Sequence, residues 1–370
     1  MQEQIKNLYV ILDKPVNYSE TFIKAHIQHL NARVAYASSF PYLDQAYSDS
    51  MFSSRLKQLS KRVYFFIDNN LKQFYLKRRL RKERAELMLA EFGYVGVKAL
   101  TFCKKQNIPL VVHFHGYDAY HSDILEMYSS KYKSMFDYVS AIIVVSNDMR
   151  QQVLRLGAPA NKIFYNAYGV DIKKFEKSDV INSKKQIISV GRFVEKKAPY
   201  LTVIAFKKVL DKIPDASLIM VGDGPLLDIC RHLINALGIT DNVRLLGALT
   251  HAQVAVLMQS SRAFVQHSLQ PASGDSEGMP NTILEAQACG LPVISTKHTG
   301  IKEIVIQGET GYLVDEEDVD NMANCMIEIL SNPELAAKIG CNGRKHVSEN
   351  YTIEKSIDHL KSILNSCYIS

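Results

Sequence analysis

The chain has 370 residues, more than one hydrophobic core usually supports, so two domains of similar size are expected. Apolar residues make up 47% of it and charged residues 22%, which excludes a disordered chain, a collagen and a disulfide-rich scaffold. The formal net charge of +6 is unevenly spread, because residues 1–175 carry +10 and residues 176–370 carry −4. The net charge alone does not show whether the partner is a nucleic acid, an anionic membrane or a phosphorylated substrate. The distribution of charge does show that the excess of basic residues lies in the first half.

No apolar run in the sequence approaches the ~20 residues needed to span a bilayer, and the start of the chain lacks the pattern of an export signal. The six cysteines are scattered without a C-x-x-C pair, so neither a zinc site nor a disulfide framework is indicated. We therefore expect a cytoplasmic protein with reduced thiols.

Strand-like apolar runs alternate with helix-like segments through both halves, which is typical of parallel α/β layers. The predicted strands of the first half are Leu8–Leu12, Arg33–Tyr36, Leu110–His113 and Ala141–Val145. Those of the second half are Gln186–Val190, Ser217–Val221, Val243–Leu246, Ala263–Val265 and Pro292–Ser295. The predicted helices of the second half are Tyr200–Lys212, Leu226–Leu237, His251–Gln259 and Asn281–Cys289. The fold class is therefore α/β, with a doubly wound, Rossmann-like parallel sheet in each half.

The domain boundaries follow from a polar, lysine-rich stretch near the middle of the chain. We predict an N-terminal domain over residues 1–175, a linker over 176–185 and a C-terminal domain over 186–350. A final amphipathic helix over 352–370 is expected to pack back onto the N-terminal domain. Ligands of open α/β sheets bind beyond the carboxyl ends of the strands, so two such domains facing each other predict a binding cleft between them.

The first loop candidate follows the first predicted strand. Asn17 and Glu20 have the spacing of a capping box, which predicts a helix start. The residues Ser19, Glu20 and Thr21 therefore lie in a loop at the edge of the predicted cleft.

Residues 72–84 contain eight charged side chains, seven of them positive, beside Phe74 and Tyr75. Two interpretations stay open for this segment: a fully solvated helix, or an interfacial helix on an anionic membrane. Nucleic acid is disfavoured, because no nucleic-acid-binding module accompanies the cluster.

A His-Gly turn ends the predicted strand at 110–113. His115 lies at the carboxyl end of that strand and is followed by Gly116, which makes it a cleft candidate, and Asp118 is placed to orient His115 or an acceptor. His113 is expected on the opposite face with a structural role. His26 and the nearby His29 could share a helix face, but without an accompanying carboxylate they do not predict a metal site.

The stretch after the strand at 186–190 supplies cations. Gly191 closes the strand, and Arg192 and Lys197 reach the same strand-end edge, where a diphosphate needs cationic donors. Lys196 is expected on a solvated face.

A glycine-rich turn follows the strand at 217–221. Gly222 and Gly224 suggest the dinucleotide-binding motif G-x-G-x-x-G, but Leu227 stands at the position of its third glycine. The motif is therefore incomplete, which excludes a dehydrogenase. Leu246 belongs to the next strand-end turn.

The segment 273–294 is the richest in functional signals. Gly278 and Pro280 lead into a short helix whose first amide groups, up to Asn281, favour an anion such as a phosphate. Glu277 precedes this helix and can accept hydrogen bonds from hydroxyls, whereas Glu285 lies inside it and can accept from both hydroxyls of a ribose. A bland alternative is a helix cap and a solvated helix face.

These residues resemble a known family. The motif E-G-[ML]-P-x₄-E-A-x-A-x-G-x-P-V, present in full from Glu277 to Val293, resembles the hallmark of the retaining nucleotide-sugar glycosyltransferases of family 4, which have the GT-B fold. The resemblance extends over most of the chain and is strongest across residues 186–314. The family usually carries glycine where this chain has Ala198, and many members carry a glycine pair where this chain has Ser19, Glu20 and Thr21.

The resemblance implies a role for each candidate residue. Glu277 and His115 would hold the transferred sugar, Glu285 would hold the ribose, and Arg192 and Lys197 would hold the diphosphate. The implied catalytic residues are Glu277, His115, Arg192 and Lys197. The implied donor-binding set is Gly191, Arg192, Lys197, Gly222, Gly224, Leu246, Glu277, Gly278, Met279, Pro280, Asn281 and Glu285. The acceptor candidates are Ser19, Glu20, Thr21 and Asp118.

The resemblance also implies the reaction. A UDP- or GDP-linked sugar would pass, with retention, to a glycan or lipid-linked glycan in bacterial surface polysaccharide or lipopolysaccharide assembly. No cofactor and no metal are expected, because lysine and arginine take the place of a divalent ion, and a peripheral position on the inner face of the cytoplasmic membrane is expected through residues 72–84. The alternative is a nucleotide-sugar-binding subunit that has lost catalysis and supports a partner transferase. A phosphorylase is disfavoured by the chain length and by the lack of a recognisable pyridoxal lysine.

Overall fold

The computed structural model describes residues 5–17, 20–37, 74–76 and 78–369. Within them the chain forms two sheets of six parallel strands each, with helices on the sheet faces. This arrangement confirms the predicted α/β class and the doubly wound sheet in each half.

The first sheet has the strand order β2-β1-β3-β4-β5-β6. Its strands are β1 (Leu8–Leu12), β2 (Arg33–Tyr36), β3 (Leu87–Glu91), β4 (Leu110–His113), β5 (Ala141–Val144) and β6 (Ile163–Tyr165). The helices of this half are α1 (Thr21–His29), α2 (Gly93–Gln106), α3 (Tyr117–Tyr120), α4 (Ser122–Tyr138) and α5 (Asn147–Arg155).

The second sheet has the strand order β12-β11-β10-β7-β8-β9. Its strands are β7 (Gln186–Val190), β8 (Ser217–Val221), β9 (Val243–Leu245), β10 (Ala263–Gln266), β11 (Val293–Thr296) and β12 (Gly311–Val314). Its helices are α6 (Pro199–Leu210), α7 (Leu227–Ala236), α8 (His251–Gln259), α9 (Asn281–Ala288), α10 (Ile301–Ile304), α11 (Val319–Ser331) and α12 (Pro333–Asn350). The order reverses between β7 and β10, which is the switch point where ligands of such sheets bind.

Three strands were not predicted from the sequence: β3, β6 and β12. The apolar run of β3 follows directly on the charged segment, β6 has only three residues, and β12 begins with a glycine. Helix α1 also begins later than the capping box predicted. Glu20 is its N-cap and accepts a hydrogen bond from the backbone N–H of Asn17 at 2.8 Å.

The last helix, α13 (Ile353–Ile369), returns from the second half to the first sheet. The chain crosses beside Val170, which forms a parallel bridge with Thr352. The apolar side of α13 then packs in one buried cluster with β1, through the residues Leu360, Ile363, Leu364 and Cys367. No helix among the described residues is both long enough and apolar enough to cross a membrane.

Part of the basic segment is described. Residues 74–76 and 78–82 are helical, and Leu76 and Leu80 are buried in the core, while Lys72, Gln73 and Lys77 lie outside the described residues. Phe74 and Tyr75 are 58% and 65% exposed. The exposed basic side chains of the segment are Arg78, Arg79, Arg81, Lys82 and Arg84. This helix is thus anchored by two leucines and presents an aromatic and basic outer face.

Candidate active site

The candidate site lies at the carboxyl edge of the second sheet. A small pocket at the switch point is lined by the strand ends of β7 and β10, including Gly191, Arg192, Lys197 and Gln266. Arg192 is exposed at this edge, whereas the Lys197 side chain is only 12% exposed. Two cationic side chains therefore converge where parallel sheets of this order bind their ligands.

Glu277 lies beside Lys197 in the loop before α9. Its Oε2 is 3.3 Å from Lys197 Nζ, and its residue exposure is only 7%. Burial acts to raise the pKa of Glu277, but the neighbouring positive charges, Lys197 first and Lys196 next, together outweigh burial and lower the pKa to about 2. The other oxygen, Oε1, is buried and has no hydrogen-bond partner among the described residues. The site thus holds an ionised carboxylate with one acceptor atom free to receive a donor.

The backbone of Glu277 is fixed by two residues that follow β11. His298 Nε2 accepts from the Glu277 N–H at 3.2 Å, and the Thr299 hydroxyl donates to the Glu277 carbonyl at 2.6 Å. His298 in turn donates from Nδ1 to Glu316 at 2.5 Å, which sets its tautomer. This support was not predicted from the sequence. Its only signal was a histidine placed just beyond a strand end.

Helix α9 points its N-terminus into the same region. Pro280 is its N-cap residue, and among the described residues no side chain caps the helix, so its first amide groups remain available to an anion. Met279 is buried beneath the turn. Asn281 Nδ2 donates to Thr21 Oγ1 of α1 at 3.3 Å, which joins a donor candidate to an acceptor candidate across the two halves.

Glu285 lies one turn inside α9 and is 6% exposed. Its Oε1 is 3.5 Å from Nδ1 of His251, the first residue of α8. His251 was not predicted from the sequence, because a histidine at the start of a helix belongs to no recognisable motif. Glu285 thus lies beside a histidine, whereas Glu277 lies beside a lysine.

The glycines after β8 permit close backbone packing at the pocket wall. Gly222 and Gly224 have φ values of +142° and +151°. A Cβ added at Gly222 would lie 1.9 Å from the Gly191 carbonyl oxygen, and one at Gly224 2.5 Å from that of Phe193. Only glycine fits both the conformation and the contact. Leu246 is half-buried after β9, and its N–H donates to the Met220 carbonyl at 3.0 Å.

The expectation for Lys196 is wrong. Instead of lying on a solvated face, Lys196 is only 7% exposed and its ammonium lies 3.1 Å from Asp275 Oδ1. It also reaches the Ser276 carbonyl at 3.5 Å. Lys196 therefore ties the turn after β7 to the loop that carries Glu277.

The His115 turn faces this loop from the first sheet. The carbonyl of His115 lies against Gly278, where an added Cβ would be 2.5 Å from the oxygen. The imidazole is 2% exposed, with Nε2 donating to Glu91 at 2.7 Å and Nδ1 accepting from Tyr168 at 2.6 Å. Both ring nitrogens therefore have protein partners.

The other candidates of the first half have separate positions. Asp118 is buried and accepts from the backbone N–H groups of Gly93, His115 and Gly116, so it fixes the turn. Glu20 occupies the N-cap position of α1, where its side chain makes no capping hydrogen bond, whereas Ser19 lies outside the described residues.

The strand face predicted for His113 is also wrong. Alternation places residues two apart on the same side of a strand, and the rings of His113 and His115 have centroids 4.3 Å apart. His26 also has the carboxylate that the sequence did not reveal, because Glu91 Oε1 lies 2.8 Å from its Nδ1.

The arrangement can bind an anionic group and a hydroxyl side by side. Lys197, Arg192 and the α9 terminus supply positive potential, and the free oxygen of Glu277 supplies a hydrogen-bond acceptor. A phosphate-linked, hydroxyl-rich molecule has this combination of groups.

Comparison with known proteins agrees with this geometry. Residues 171–346 match the family model for glycosyl transferases group 1, and residues 48–174 match that for Glycosyltransferase Family 4. The WcaL protein of Escherichia coli K12, a glycosyltransferase assigned to colanic acid biosynthesis, is 28% identical over 76% of this chain and 71% of its own length. The amylovoran biosynthesis glycosyltransferase AmsK of Erwinia amylovora is 28% identical over 76% and 70%.

A solved structure shows the same fold. The crystal structure of Anabaena HepE in complex with UDP superimposes with a TM-score of 0.77 at 17% identity, over 98% of this chain and 100% of that one. The two parallel sheets with their facing strand ends are therefore the GT-B fold. The two family models together cover most of the chain, and the protein belongs to the glycosyltransferases of group 1 and family 4.

Proposed function

We propose that this glycosyltransferase moves a sugar from a UDP- or GDP-linked donor to a hydroxyl of a glycan or lipid-linked glycan, with retention at the anomeric carbon. The acceptor class follows the relatives named for colanic acid and amylovoran biosynthesis, so bacterial surface polysaccharide or lipopolysaccharide is the proposed product. The proposed partners are thus a nucleotide sugar and a growing glycan.

The observation that carries the proposal is the buried Glu277 with its free oxygen. An unsatisfied buried acceptor costs about 1–3 kcal/mol, so the site gains when a ligand hydroxyl donates to it. Lys197 lies 3.3 Å away and Arg192 lines the same pocket. A sugar hydroxyl on Glu277 would therefore place the adjoining diphosphate beside both cations and the start of α9.

The proposed chemistry needs no protein nucleophile. The acceptor oxygen forms a bond to the anomeric carbon on the face that the diphosphate leaves, and the departing diphosphate oxygen takes the acceptor proton. Lys197, Arg192 and the α9 amides stabilise the charge that grows on the diphosphate. Because these groups offset the negative charge of the diphosphate, transfer is proposed to be independent of divalent metal. Glu285 is proposed to hold the ribose, and the His115 turn to line the sugar side.

The experiment is calorimetric titration with uridine, guanosine and adenosine diphosphates and their sugars, followed by a transfer assay. Glu285→Ala should weaken nucleotide binding by about tenfold or more, the loss of a buried bidentate contact. Glu277→Gln should keep nucleotide affinity within about threefold of wild type but reduce turnover by about 100-fold. The anomeric configuration of the product is read by NMR.

Equal donor turnover by wild type and Glu277→Gln would overturn the assignment of Glu277. Loss of transfer within minutes of adding EDTA, restored only by added divalent ion, would overturn metal independence. An inverted product would overturn retention.

The basic segment is proposed to hold the enzyme at the inner face of the cytoplasmic membrane, where lipid-linked acceptors are found. Phe74 and Tyr75 are exposed beside Arg78, Arg81 and Lys82, while two leucines anchor the helix from below. An apolar and cationic outer face is the combination that binds anionic lipid, at roughly 1 kcal/mol per basic residue. Arg79 lies over the Tyr9 ring and pairs with Glu83, so it is less available to a membrane than the other basic residues of this helix.

Vesicle sedimentation tests this surface. The triple variant Arg78→Glu/Arg81→Glu/Lys82→Glu should lose binding to phosphatidylglycerol-containing vesicles, and wild-type binding should fall with salt. The matched control reverses three exposed lysines elsewhere, Lys105, Lys212 and Lys338, and changes net charge equally. Equal binding by the two triple variants, or no binding by wild type, would contradict the membrane contact.

A further inference from the structure

A second polar cluster lies at the carboxyl edge of the first sheet, and its residues are not among those proposed to bind the diphosphate. Glu91 ends β3, His113 ends the neighbouring strand β4, and His26 comes from α1. The exposures of these residues are 0%, 0% and 2%. Their potential ligand atoms all lie within 4.8 Å of one another.

Glu91 is a fully buried carboxyl group with histidines as its hydrogen-bond partners. Its two oxygens accept from His26 Nδ1 at 2.8 Å and from His115 Nε2 at 2.7 Å. A carboxylate removed from water is costly unless a positive charge accompanies it.

His113 supplies an independent observation. Neither of its ring nitrogens has a hydrogen-bond partner among the described residues, although the side chain is fully buried. Its Nδ1 is 3.8 Å from Glu91 Oε2, beyond hydrogen-bond distance. An imidazole with an open ring nitrogen can bind a metal ion.

We propose that His26, Glu91 and His113 bind a divalent metal ion, with Zn²⁺ best suited to the donor set. Two imidazoles and one carboxylate are ligands that zinc accepts in tetrahedral sites. The ion would balance the Glu91 charge and satisfy His113 together, and His26 would release its Nδ1 proton on binding. No other group in the described part of the chain meets these distances with three such side chains.

The position assigns the ion a structural role. It would fasten α1 to the ends of β3 and β4, while Glu91 Oε2 keeps its hydrogen bond to His115. The metal would therefore orient the His115 turn through Glu91 without contacting Lys197 or Arg192, the residues proposed to bind the diphosphate. None of the three ligands is shared with Lys197, Arg192 or Glu277, so transfer chemistry without a phosphate-bound metal is compatible with this site.

Metal content of the purified protein tests the proposal. Wild type grown in zinc-supplemented medium and passed through gel filtration in EDTA should retain about one zinc ion per chain, as expected for a buried structural site. His113→Ala and Glu91→Gln should retain less than about a tenth of that amount. The matched control is His29→Ala, which removes an exposed histidine from the same helix and should keep the metal. Growth with cobalt instead should give visible absorption bands in wild type and the control alone.

Zinc-free and cobalt-free wild type would overturn the proposal and leave a proton shared within the cluster as the counter-charge. This outcome does not depend on whether the variants fold. Equal metal content in wild type and a folded His113→Ala variant would also overturn it, because the ion would then lie elsewhere. Nucleotide titration uses other residues, so a failure here is separate from a failure of the proposed reaction.

Discussion

At the scale of single residues, the buried Glu277 carboxylate makes the protein sensitive to acid. Its pKa is about 2 in the folded protein, against an ordinary value of 4.5, because Lys197 and Lys196 together with the other neighbouring groups outweigh burial. The unfolded chain therefore binds this proton first as the pH falls. The stabilisation is complete above pH 4.5 and is lost progressively toward pH 2. The shift corresponds to at most about 3 kcal/mol.

Wild type should be more stable than the Glu277→Gln variant at neutral pH. The difference in unfolding free energy between the two proteins should narrow as the pH falls from 4.5 to 2. Urea unfolding at several pH values measures it. Glu334→Gln, which changes an exposed glutamate, is the control and should show no such gap. A gap that stays constant across the window would contradict the ion pair.

Several residues of the candidate site could be predicted from the sequence because they belong to one continuous motif. Glu277, Gly278, Asn281 and Glu285 lie within nine residues, so their spacing alone places them on one loop and helix. The partners of Glu277 were not predicted, since His298 and Thr299 reach it only through the pairing of β10 with β11.

Long-range contacts also explain why the environments of His26 and Lys196 could not be predicted from the sequence. Glu91 and His26 are 65 residues apart in sequence, and no local pattern links a strand end to a helix in another layer. The charged neighbours of Lys196 in the sequence predict a solvent-exposed side chain. Its partner Asp275 is 79 residues away. In each case a buried polar side chain found its counterpart through the fold rather than through sequence spacing.

At the scale of elements, the two halves meet through glycine backbone. Gly116 and Gly278 lie in opposing turns, and an added Cβ at Gly116 would be 2.9 Å from the Ser276 carbonyl oxygen. At Gly300 it would be 2.0 Å from the Gly278 carbonyl oxygen. These contacts are closer than any side chain allows, so the register of the loop before α9 depends on the absence of side chains.

The substitution Gly278→Ala tests this packing. Its Cβ would lie 2.5 Å from the His115 carbonyl oxygen, so the turn must shift, at a cost of about 1–3 kcal/mol in stability. Because Glu277 moves with the turn, sugar-transfer turnover should fall by about tenfold or more. Gly308→Ala is the control, since that glycine has φ +74° and open space around it, and it should lower stability without changing turnover. Equal turnover in the two variants would contradict the positional role of Gly278.

The strand pattern itself was largely predictable, because buried parallel strands are continuous apolar runs. Nine of the strands in the two sheets were predicted, and the missed ones are short or lie beside charged sequence. The order of the strands within each sheet could not be predicted from these apolar runs. The position of β3 between β1 and β4 is what brings Glu91 next to His113 and His115.

At the scale of the whole molecule, the chain ties its ends together. Strand β1 and helix α13 are separated by most of the sequence yet share one buried cluster. A second tie joins the halves at α5, where the Glu303 carboxylate accepts from the Asn147 backbone N–H at 2.6 Å and from its side chain at 3.0 Å. The first sheet therefore depends on residues that follow the second sheet in the chain.

This dependence predicts a long-range effect of Leu364→Ala. Leu364 is 1% exposed against the β1 cluster, and truncation should lower the unfolding free energy by about 2–5 kcal/mol, the transfer and cavity cost of a buried leucine. Hydrogen exchange should accelerate in β1 and β3, whereas β11, on the other sheet, should stay protected. Ile229→Ala, at a residue that is 53% exposed, is the control and should change stability by no more than about 0.5 kcal/mol. Exchange that rises equally in β1 and β11 would show that the two sheets open as one unit, and the separate dependence of the first sheet on α13 would then be wrong.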